Sequence, residues 1–67
     1  MVRVIRHAKS GEYFTKGKWT PDFDQAQTFD GVTEVVAVCT ALKLKDVEMV
    51  MRIDPARPDL KVPIPNP

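Results

Sequence analysis

Residues 46–53, DVEMVMRI, alternate Val47, Met49, Met51 and Ile53 with Glu48, Val50 and Arg52. That period of two predicts a β-strand, and apolar Val50 on its second face predicts an interior place in a sheet. VRVIRH (2–7) is rich in β-branched residues and reads as another strand. AKSG follows, where Gly11 can take the positive φ of a hairpin turn, and EYFT (12–15) is the returning strand. KGK (16–18) is a second break, from which Trp19 begins an extended step. Thr20 then suits an N-cap and Pro21 the first position of one short helical turn through Ala26, with Asp22 and Asp24 at its positive end. Trp19, Phe23, Ala26 and Phe29 are expected to fold inward, the tryptophan as a structural anchor.

VTEVVAVCTALKL (32–44) has apolar residues at 32, 35, 36, 39 and 42, a helical spacing, with Asp30 or Thr33 as its cap. PARPDLKVPIPNP (55–67) holds five of the six prolines, so it is stiff, extended and unfit for a central strand. Leu60, Val62 and Ile64 nevertheless alternate with Lys61, Pro63 and Pro65, and an apolar edge of that kind lies along something: the chain's own sheet, a second subunit or a partner. The predicted fold is α+β: a small, mostly antiparallel sheet of three to four strands with one helix packed on one face (β-β-α-β). Residues 1–54 form the domain and 55–67 a proline-rich extended C-terminal tail.

At 67 residues the chain makes one domain at most, and about 60% of its unfolded surface can be buried. One helix covers one face of the sheet, so Arg3, Ile5, His7, Val50 and an aromatic of the second strand are expected on an open face. No apolar run is long enough to span a membrane, and the N-terminus lacks the apolar core of a secretory signal. A lone cysteine, Cys39, excludes an intramolecular disulfide and fits a cytoplasmic, reducing compartment.

Net charge is +1 but unevenly spread. Arg3, Arg6, Lys9, Lys16 and Lys18 outnumber Glu12 in residues 1–20, whereas seven acids outnumber three bases in 21–54. With Tyr13, Phe14 and Trp19 interleaved, the five cations form a candidate nucleic-acid surface. The near-neutral whole and the need of a small core for its aromatics favour a solvated basic face or a self-association surface.

Catalytic and cofactor chemistry finds little support. One Cys and one His cannot make a structural zinc site. His7 has no nucleophile or orienting group in a recognisable spacing and reads as a strand-end histidine. Cys39 lies on the apolar stripe of the helix and reads as core. Asp22 and Asp24 lack the glycine and distal glutamate of a calcium loop and read as helix-start acids. No glycine-rich phosphate loop or nucleophile elbow is present, and Pro55–Pro58 matches P-x-x-P only as a short, common pattern.

SGEYFTKGKWTPDFDQAQTF, followed by a helix and DVEMVMRI, resembles a pattern in small uncharacterised bacterial proteins. It comprises a hairpin ending in Trp-Thr, then x-Asp-x-x-x-Ala-x-x-Phe, a helix and a closing Val-Glu-rich strand, over residues 9–53. The resemblance implies a compact α+β fold and carries over no functional residues. The expected role is non-catalytic: a small protein-interaction or self-association domain, dimeric, with Ile5, Val50, Leu60, Val62 and Ile64 as the interaction surface and no cofactor, metal or small-molecule substrate. The alternative is a nucleic-acid-binding module using Arg3, Arg6, Lys9, Lys16 and Lys18.

Overall fold

A computed structural model describes residues 1–66. Five strands, β1 (Val2–His7), β2 (Tyr13–Thr15), β3 (Lys18–Thr20), β4 (Val47–Arg52) and β5 (Leu60–Pro63), form one antiparallel sheet in the order β3-β2-β1-β4-β5. A single helix, α1 (Val32–Ala41), packs on one face, which makes the protein a small α+β domain. The sheet exceeds the expected three to four strands because the proline-rich segment supplies β5, paired along β4. No helix among the described residues is long and apolar enough to cross a membrane.

β4 lies between β1 and β5, so both its ladders are used and both its faces are covered. Facing pairs share a side of the sheet. Ile5 opposite Met49 and His7 opposite Val47 therefore lie under α1, where Phe14, Phe29, Val35 and Cys39 complete the core. Val4 opposite Val50 lies on the other side. The expected open face is thus corrected: Arg3, Ile5 and His7 belong to the helix side, and only Val50 and Tyr13 of the expected set lie opposite.

That second side is not bare. A 3-10 turn over Phe23–Gln25 sets Phe23 edge-on to Tyr13 at 5.3 Å between ring centroids, and the Arg52 guanidinium lies 3.7 Å from the Phe23 ring centre. Arg52 also donates two 3.0 Å hydrogen bonds to Asp59, tying this layer to β5. Phe23 therefore does not join Trp19 and Phe29 on the helix side; it lies on the side of Val4 and Val50, both almost fully buried. The turn is capped by Asp22, which accepts from the Asp24 N–H, while Thr20 accepts from the Asp22 N–H and ends β3.

Hydrogen bonding to Arg52 and its positive charge hold the Asp59 carboxyl below the ordinary value of 3.8. A depressed folded pKa gives a contribution that is complete above the unfolded value and lost as pH falls through the folded one. Acidification below about pH 4 is expected to strip hydrogen-exchange protection from Leu60, Val62 and Ile64 before β1. Equal loss in both strands would contradict this.

The turns obey backbone stereochemistry. Lys16 and Gly17 link β2 to β3 at φ 47° and 82°, the doubly positive pattern of a tight hairpin. α1 starts at Gly31 without a side-chain cap, rather than at Asp30 or Thr33; Glu34 instead reaches back to accept the Asp30 N–H. It stops at Lys43, whose φ of 52° lets the Lys43 and Leu44 N–H groups bond the Thr40 and Cys39 carbonyls. Glycine relieves that left-handed backbone, so Lys43→Gly is expected to raise unfolding free energy by about 0.5 kcal/mol, seen as a higher urea midpoint.

Candidate functional site

The residues with chemical potential are taken up by the fold. His7 Nδ1 accepts from the Lys9 and Ser10 backbone N–H groups at 3.3 and 3.2 Å, while its ring meets Trp19 edge-on at 5.4 Å. It organises the β1–β2 turn. Cys39 is buried in the core, and burial pushes its thiol pKa up, away from the reactive thiolate. The Asp22 carboxylate caps the 3-10 turn.

The five cations do not form one stripe. Arg3 lies on the helix side and donates to the Asp30 carbonyl at 2.9 Å. Arg6, on the opposite side, pairs with Glu48 at 2.9 Å. Lys9 sits 3.4 Å from Asp46. Lys16 and Lys18 remain at the hairpin tip, without an ion pair among the described residues. The aromatics are divided too: Phe14 and Trp19 turn toward the core, Tyr13 toward Phe23.

Of the five residues expected to form an interaction surface, Ile5 and Val50 are buried at 0% and 1% exposure, on opposite sides of the sheet. Register with Met49 and the roof of Phe23 and Arg52 exclude them. Ile64 is half-buried against the core, and its N–H donates to the Val47 carbonyl. Leu60 and Val62 are exposed at 49% and 41% and point to the helix side, because they face Met51 and Met49.

On the same side stand two residues of the helical spacing that also holds Val35 and Cys39. Val32 and Val36 are 49% and 43% exposed. Hydrogen bonds from Phe29 to the Arg3 carbonyl and from Ala8 to the Asp46 carbonyl place α1 parallel to β1, with β2 on one side and β4 on the other. In a right-handed helix resting on Val35 and Cys39, this direction turns Val32 and Val36 toward β4 and β5 and Val38 toward the Trp19 side. Val32, Val36, Leu60 and Val62 thus border one shallow apolar groove. The outward face of α1 beside it, Thr33, Ala37, Thr40 and Ala41, is exposed and uncharged. Surface helices ordinarily carry charge there, and that missing charge was the legible signal.

The two ends of α1 carry unequal charge. Asp30 and Glu34 mark its start, Lys43 and Lys45 the chain just beyond its end. All four are exposed, and none forms an ion pair among the described residues. No family model matches the chain, and no curated protein or solved structure matches it.

Proposed function

We propose that this protein is a non-catalytic self-association domain of the cytoplasm, and that its contact surface is the outward face of α1 together with the β5 side of the groove. The observation that carries the reading is the exposure of Val32, Val36, Leu60 and Val62 on one side of the molecule, next to a helix face without charge. Clustered apolar surface of this kind marks protein contact sites. The structural employment of His7, Cys39 and Asp22 supports a role without chemistry. The lone buried thiol fits a reducing compartment.

The test is a single exposed substitution. Val36→Glu leaves the protomer core untouched but sets a carboxylate in the contact. It is expected to raise the self-association Kd at least about tenfold, roughly 1.4 kcal/mol, with an unchanged circular dichroism spectrum and melting curve of the monomer. Unaltered association would overturn the proposed surface.

A further inference from the structure

We infer that a second copy of this chain occupies the groove face as a symmetric pair, with the two α1 helices antiparallel and crossing near Val36 and Ala37. The inference rests on the self-association proposed above and adds its geometry.

Backbone pairing at the sheet edges is the competing geometry, and the chain blocks it on both sides. The Ile64 N–H bonds β4, so in an antiparallel ladder the backbone groups of Lys61 and Pro63 point outward. Pro63, and Pro65 two residues on, offer no N–H to an incoming strand. At the other edge the Phe14 carbonyl accepts from Gln27, so the backbone of its partner Trp19 faces out, and Pro21 follows at the next outward position. Prolines at such positions suppress strand addition. Face-to-face contact is the open route.

A two-fold contact brings the residues at its axis close to their own copies, so charge at the centre repels itself. The centre offered here, Thr33, Val36, Ala37 and Thr40, has none. Ala37 and the threonines also let two helix axes approach to about 8 Å. The ends choose the direction. Antiparallel helices crossing at Val36 and Ala37 bring Asp30 of one copy beside Lys43 of the other, at both ends, satisfying four charges that are unpaired within the protomer. Parallel helices would set acid against acid and lysine against lysine. The helix dipoles also favour the antiparallel arrangement.

Three variants of the full chain test this. Ala37→Cys, treated with a short bismaleimide, is expected to convert to covalent dimer at concentrations where the wild-type protein associates. Lys61→Cys, at the strand edge, stays monomeric, and untreated or wild-type samples form no product because Cys39 is buried. Asp30→Lys is expected to weaken association several-fold, and adding Lys43→Glu restores it. Cross-linking through Lys61→Cys instead of Ala37→Cys overturns the helix-face geometry while leaving self-association standing. Tighter association of Asp30→Lys alone overturns the antiparallel direction. Monomer mass for the wild-type chain throughout the series removes the self-association reading together with this one.

Discussion

Ile5→Ala is expected to lower the melting temperature by about 15–20 °C and to leave a measurable unfolded population at 25 °C. Ile5 is fully buried between Phe14, Val35 and Met49 and lies on the central strand of the sheet. Truncation to alanine removes three carbons and leaves a void that neighbours on two covered sides cannot close, a loss of about 3 kcal/mol. A chain of 67 residues holds a total of roughly 5 kcal/mol, so a single core deletion consumes most of it. Urea unfolding followed by circular dichroism measures the difference. A loss under about 1 kcal/mol would mean that the core is less tightly packed around Ile5 than described.

Trp19→Ala is expected to cost about 2 kcal/mol, less than a fully buried tryptophan because the side chain is only partly buried. Trp19 stands edge-on to both His7 and Phe14, at 5.4 and 5.7 Å. It therefore joins the end of β1 to the short β2–β3 hairpin, whose ladder spans only three residue pairs. Between β1 and β2 a single pair, Arg6 with Tyr13, is in register; beyond it Gln27 and Phe29 bond the Phe14 and Arg3 carbonyls and fill the gap. With so little direct pairing, side-chain contact holds the hairpin down. Hydrogen exchange in β2 and β3 should accelerate in the variant more than in β4. A uniform change across the sheet would deny Trp19 this local role.

Local pattern revealed the elements more readily than their sides. The alternation of β4 and the β-branched run of β1 both correspond to strands, and β4 is interior, as apolar Val50 implied. Which side of β1 meets the helix is another matter. VRVIRH carries aliphatics on both sides, so Ile5 and Val4 are equivalent until register with Met49 and Val50 separates them. The second side was expected to stay open because one helix cannot cover two. Its roof comes from residues whose partners are distant in sequence, Phe23 with Tyr13 and Arg52, then Arg52 with Asp59. The accessible surface of 4498 Å² lies slightly above the about 4,300 Å² expected for a monomer of this mass, so the second side is covered about as well as the length allows and a little apolar surface is left over.

The tail was legible in a different way. Its apolar alternation announced a contact and its prolines forbade a central strand; an edge strand, prolines outward, satisfies both. For the candidate surface, Leu60 and Val62 were found from that alternation. Val32 and Val36 were not, because a helical period cannot say how wide a stripe the sheet will cover. α1 buries Val35 and Cys39 and leaves Val32 and Val36 outside.

Sedimentation equilibrium of the wild-type chain from about one to several hundred micromolar, in moderate salt, addresses the central claim most directly. Weight-average mass is expected to climb from 7.6 kDa toward twice that value and to level off there, as a closed pair requires. A mass that remains at 7.6 kDa throughout would contradict self-association through α1.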